Sequence, residues 1–163
     1  MALGIYLGRH FSYSHIMTSP TTDPFNLERF KSAQDVCYHR VKAELAAGKK
    51  RSHWMWFIFP QINGLGQSPM DAEYSIKSKE EAQAYLQDSL LSGRLKECIH
   101  LLLDTESDDP ALVMGSPDDV KLRSSMTLFA AIADNPALYR EVLSKFYGGE
   151  TDRLTLSLLV YPV

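Results

Sequence analysis

Cysteine, surplus positive charge and long apolar runs are all scarce in this sequence. Two cysteines, Cys37 and Cys98, stand in 163 residues. That is too few for a disulfide framework, so a reduced, cytoplasmic setting is expected. The formal net charge is -3, which excludes broad electrostatic binding to nucleic acid but is compatible with a local basic patch. No apolar stretch approaches the roughly 20 residues that span a bilayer, so no membrane partner is expected. Signatures of common chemistry are missing as well. There is no Gly-x-Ser-x-Gly turn, and Ser124 and Ser125 fall mid-helix, where serine packs or bonds its own backbone. Cys37-Tyr38-His39 and Cys98-Ile99-His100 look like paired metal ligands. Both lie in expected helices, where residues two apart point away from each other, so no metal site is expected. Asp108-Asp109, Asp118-Asp119 and Glu80-Glu81 fall at helix starts, where capping and the helix dipole account for them. No reaction and no cofactor can be read from these residues.

What is present reads as helix. Hydrophobic residues make up 45% and charged residues 23%, the balance of a folded globular chain. Asn26 reads as the N-cap of a helix with Leu27, Phe30, Cys37, Val41 and Leu45 on one stripe, ended by Gly48. Ser78-Lys79-Glu80-Glu81 has the form of a capping box. Asp109-Pro110, Ser116-Pro117 and Asn135-Pro136 each set a capping side chain before a proline, which is tolerated in a first helical turn. Gly148-Gly149 stops one helix, and Thr151 or Asp152 starts the last. The pattern predicts a single all-α domain over residues 23–160, with about six to eight short helices, as a monomer or weak homodimer. Residues 1–22 lack periodicity and are too polar for a signal peptide. They are expected to form a flexible N-terminal extension of the kind an over-long gene start adds.

The stretch RSHWMWFIFPQ, Arg51 to Gln61, holds both tryptophans. From Trp54 to Phe59 both alternating faces are apolar, which suits a strand buried on two sides or a short buried helix. Ser52 can cap and Pro60 must stop, so a short helix is expected. Downstream, Gly64 and Gly66 lie in a loop leading to a helix start near Met70, an arrangement that exposes backbone N–H groups to an anion. Upstream stand Lys49, Lys50 and Arg51, then His53, Trp54 and Trp56. Cations, an imidazole and indole faces are what a nucleotide-like ligand uses. The plainer alternative is a core helix, a solvated basic turn and a tight loop that needs glycine.

RSHWMWFIFPQINGLGQS, the following EAQAYL, and SPDDVKLRSSMTLFAA together resemble the bacterial family catalogued as domain of unknown function 1810. The match runs from about Phe25 to Leu159. The resemblance implies a compact all-α array of antiparallel helices and no established activity; the label "calpastatin" given to some members has no supporting motif here. The motif positions are Arg51, Ser52, His53, Trp54, Trp56, Phe59, Pro60, Gln61, Gly64, Gly66, Ser68, Lys121, Ser124, Ser125, Met126 and Phe129. They are more polar and cationic than packing requires, so the two motifs are expected to meet. Lys121, Ser124 and Ser125 share a helical face by spacing and would look toward His53 and Gln61. The expectation is a pocket for a small anionic metabolite, a nucleotide or ADP-ribose-like molecule. Its candidate residues are Arg51, His53, Trp54, Trp56, Gln61, Gly64, Gly66, Lys121, Ser124 and Ser125, with Met55, Phe57 and Phe59 as core. The alternative is a helical protein-interaction module without catalytic activity.

Overall fold

The computed structural model describes residues 22–163, so the extension expected over residues 1–22 lies almost wholly outside the described residues. Among the described residues nine helices follow in order: α1 Glu28–Ala46, α2 Met55–Ile58, α3 Pro69–Tyr74, α4 Lys79–Gln87, α5 Ser89–Leu103, α6 Pro110–Met114, α7 Asp118–Ile132, α8 Ala137–Tyr147 and α9 Arg153–Val160. Among the described residues the extended structure is a single parallel bridge, Ile62 to Ile76. The all-α expectation holds. The count exceeds the expected six to eight because α2, α3 and α6 are pieces of four, six and five residues. None of the described helices is long and apolar enough to cross a membrane.

The core forms where α1 packs on α5, α5 on α8, and α7 on α8 and α4. An aromatic row ties these helices together. Phe30 meets Tyr85 edge-on at 5.1 Å between ring centroids, Tyr85 meets Phe129 at 5.4 Å, and Phe129 meets Tyr139 at 6.0 Å. Such offset and edge contacts suit the ring quadrupoles and add to the burial of four large side chains. The short α2 sits on this core, with Met55, Phe57 and Ile58 buried. The buried Gln34 of α1 donates from Nε2 to the Phe57 carbonyl at 2.8 Å, which satisfies a carbonyl that a one-turn helix leaves open. The apolar run is therefore the short buried helix its flanking residues suggest.

Two expected caps are replaced, and an expected capping box is half formed. Asn26 does not cap α1. It adopts a left-handed φ of 51°, and the Asp23 carboxylate reaches across it to accept from the amides of Leu27 and Glu28, at 2.7 and 2.9 Å. Ser116 does not cap α7, whose first turn follows a cis Ser116–Pro117 bond and has no side-chain cap. Ser78 does accept from the Glu81 amide, but the Glu81 carboxylate completes no capping box. It accepts instead from the Lys77 amide and pairs with Arg29 of α1. A buried cation outcompetes the amide it would otherwise have bonded.

Candidate functional site

The tryptophan-bearing turn is organised by one carboxylate. Glu44, near the end of α1, is 7% exposed. It accepts from the amides of Arg51 and Ser52, from the Ser52 hydroxyl and from the Trp54 indole N–H. Burial alone would raise its pKa. The hydrogen bonds from the Ser52 hydroxyl, the Arg51 and Ser52 amides and Trp54 outweigh that and hold it at about 2. Lys50 covers the Trp54 ring at 5.1 Å and pairs with Asp118 of α7 at 2.8 Å. The turn between α1 and α2 is thus clamped from both sides, and Trp54 is drawn into the core at 1% exposed.

Two residues on, the second tryptophan faces outward. Trp56 is half-buried, and its indole N–H is buried without an acceptor among the described residues. The Lys121 ammonium lies 5.2 Å from the Trp56 ring centroid and 3.7 Å from Asp71 Oδ1. It therefore joins α7 to α2 and α3, rather than forming the local pair with Asp118 or Asp119 that its sequence neighbours offer. Beside this contact is a shallow, open cleft that encloses about 10 Å³, walled by Trp56, Gln61, Gly64, Gly66, Asp71 and Tyr74 among others. Its walls contain no histidine or cysteine. They can hold and orient a ligand through aromatic faces, an amide and one ion pair.

The glycine loop already has an anion, and it is internal. Ser68 accepts from the Asp71 amide at 3.1 Å, while Asp71 Oδ2 accepts from the Ser68 amide at 3.1 Å and from its hydroxyl at 2.6 Å. This is a reciprocal capping box. Burial pushes the Asp71 carboxyl up, but the Ser68 hydroxyl and amide together with Lys121 bring it below its ordinary range, so it is ionised near neutrality. Gly66 makes the approach feasible: a Cβ there would sit 2.2 Å from Asp71 Cγ. Gly66→Ala is accordingly expected to destabilise the protein by about 1–3 kcal/mol, as overpacking does. Urea denaturation showing no change would mean that the carboxylate moves aside freely.

The expected site residues therefore divide. Trp56, Gln61, Gly64 and Gly66 line one cleft, and Lys121 reaches two of its walls. Trp54 belongs to the core and to Glu44. Arg51 and His53 are exposed and lie outside the cleft wall. Ser124 turns to α9, donating to Asp152 Oδ2 at 3.0 Å, while Thr127 accepts from the Asp152 amide at 2.9 Å. Ser125 is fully buried, and its hydroxyl has no partner among the described residues. Residues three apart on a helix are offset by about 60°, enough to send Lys121 and Ser124 to different neighbours. Asp71 and Tyr74 were not among the expected residues. The Ser68-Pro69-Met70-Asp71 spacing is a capping-box pattern that could have pointed to Asp71.

A family model described as "Protein of unknown function (DUF1810)" matches residues 24–159. The structure is similar to the crystal structure of the conserved hypothetical protein Rv1873 from Mycobacterium tuberculosis. The TM-score is 0.83 with 51% sequence identity, covering 85% of this chain and 99% of that chain. No curated protein matches.

Proposed function

The chain belongs to this family of unknown function, and from that premise we propose that it binds a small anionic ligand of nucleotide type in the Trp56–Asp71 cleft. Lys121 supplies the charge. The observation that carries this reading is the state of its ammonium. It rests on an indole face, and its nearest carboxylate oxygen, at 3.7 Å, lies beyond hydrogen-bond distance. A partly buried ammonium gains much from an acceptor, and charge-assisted bonds to phosphate or carboxylate are the strong ones. Trp56 and Tyr74 offer ring faces beside it. The cleft is an open groove that encloses only about 10 Å³, room for about one water and far below the roughly 300–1,000 Å³ of sites that enclose drug-sized ligands. A ligand would therefore lie across its mouth, against Trp56 and Lys121, rather than inside it. A reduced cytoplasm suits the two free thiols, Cys37 and Cys98.

A thermal-shift series with AMP and inorganic phosphate tests the reading. At a hundredfold excess over the dissociation constant a ligand adds about 2.7 kcal/mol, a shift of several degrees. Lys121→Met keeps the aliphatic stem over Trp56 and removes the charge. AMP affinity should fall at least tenfold, while stability without ligand changes by no more than about 1 kcal/mol, the range of a solvent-accessible ion pair. Undiminished AMP binding by that variant would remove Lys121 from the site. The competing reading, a helical interaction module, draws on the exposed Leu154, Val160 and Tyr161 at the C-terminal end. It is favoured if no phosphate compound shifts melting or Trp56 fluorescence.

A further inference from the structure

Resting on the reading of the cleft as a ligand site, we infer that the ligand carries a sugar phosphate, with its hydroxyls donating to Asp71 and its phosphate on Lys121. The argument begins with charge. An anion entering beside Lys121 also meets the ionised Asp71, so a bare phosphate would exchange one attraction for one repulsion at similar range. The repulsion is offset only if the same molecule brings hydrogen-bond donors to the carboxylate. Asp71 has one oxygen to offer: Oδ2 is taken by Ser68, whereas Oδ1 has Lys121 at 3.7 Å and no hydrogen bond among the described residues. Donor and acceptor are therefore both unsaturated and close enough for one small molecule to touch each.

A hydroxyl fits this acceptor better than an ammonium. A second cation would displace Lys121 from Asp71, leaving the lysine to face a like charge. Hydroxyl groups bond to a carboxylate while the lysine stays in place. A pentose also matches the rest of the wall. Lying across the mouth of the cleft, its C–H faces can pack on Trp56 and Tyr74, and its remaining oxygens lie within the chemistry of the Gln61 amide. Free ribose phosphate and a nucleoside monophosphate share this unit.

Calorimetric titration of the full chain with ribose phosphate, AMP, the dideoxy analogue of AMP and inorganic phosphate distinguishes the sources. AMP is expected to bind about ten- to a hundredfold more tightly than its dideoxy analogue, the usual worth of hydrogen bonds to a charged group. Ribose phosphate should match AMP if the sugar phosphate is the whole ligand and fall short of it if the base also binds. Asp71→Asn keeps an oxygen for Ser68 and neutralises the other position; it should collapse the hydroxyl preference. Lys121→Met should weaken AMP and the dideoxy analogue alike. The wild-type comparison needs no variant, so it stands even if Asp71→Asn folds poorly. Equal binding of AMP and the dideoxy analogue would overturn the hydroxyl assignment and leave the cleft reading intact. Failure of every phosphate compound to bind would overturn both.

Discussion

Arg29→Met should destabilise the protein by about 3–5 kcal/mol, the range seen when one partner of a buried ion pair is removed. The side chains of Arg29 and Glu81 are 10% and 3% exposed, and the guanidinium meets both carboxylate oxygens, at 3.1 and 3.2 Å. The other three guanidinium hydrogens go to the backbone carbonyls of Glu73 at 2.8 Å, Phe25 at 2.7 Å and Asn26 at 2.9 Å. The nitrogen that bonds Glu81 also lies 3.1 Å from the Ser75 carbonyl, sharing a hydrogen with it. Its plane also lies 4.2 Å from the Phe30 ring centroid. Methionine fills the stem but leaves a buried carboxylate without its cation and takes a side-chain donor from four backbone carbonyls. The contrast within the same fold is the Lys42–Glu97 pair, at 42% and 51% exposed, whose loss should change stability by under about 1 kcal/mol. Adding Glu81→Gln to Arg29→Met should restore part of the loss by removing the uncompensated charge. Urea denaturation measures all three. A loss below about 1 kcal/mol for Arg29→Met would show that the pair is solvated, since that is the range of exposed pairs. The site is coupled to this pair, because the Glu73 and Ser75 carbonyls flank Tyr74, a wall of the cleft. AMP binding should therefore weaken in Arg29→Met even at temperatures where the variant stays folded.

The helices were legible in the sequence wherever the signal was local. Asp109 before Pro110 caps α6 by accepting from the Ala111 amide, and Gly148, with a φ of 60°, ends α8 in the left-handed conformation. Failures occurred where a distant residue competed for a local partner. Glu81 sits at the correct spacing for a capping box, yet Arg29, 52 residues earlier, takes its carboxylate. Asp23 caps α1 across a left-handed Asn26, so the nearest polar residue was the wrong choice. The cleft shows the same limit. Sequence placed Trp54, Trp56, the glycines and Lys121 in one site but could not say which indole faced in. That choice is made by Glu44, ten residues before Trp54, because an indole N–H that finds a buried carboxylate can be fully covered. Nor could spacing reveal that the glycine loop would close on its own aspartate, or that Lys121 would reach that aspartate from α7.

Glu44→Gln should destabilise the protein by about 3 kcal/mol at neutral pH, with a difference that disappears in acid. The carboxyl is held at about 2, against an ordinary value of 4.5. A carboxyl whose folded pKa is depressed contributes stability that is fully present above the unfolded value. That contribution declines as the pH falls from about 4.5 and is gone below about 2. The difference between these two values corresponds to about 3 kcal/mol. Glutamine keeps the shape but offers one oxygen where the carboxylate offers two, and it turns an N–H₂ group toward donors that need an acceptor. Wild type should therefore lose stability steeply between these pH values, as the Arg51–Trp54 turn loses its anchor. The glutamine variant, already without the anchor, should show a shallower slope. Asp71, Asp88 and Glu97 also have depressed values, so the variant's acid slope is reduced rather than abolished. Urea titrations at a series of pH values, followed by tryptophan fluorescence, measure both curves. They should lie apart at pH 7 and converge near pH 2. A constant separation across that range would show that Glu44 contributes through packing alone. Convergence would show that an ionised carboxylate fixes the turn which buries Trp54 and leaves Trp56 at the cleft.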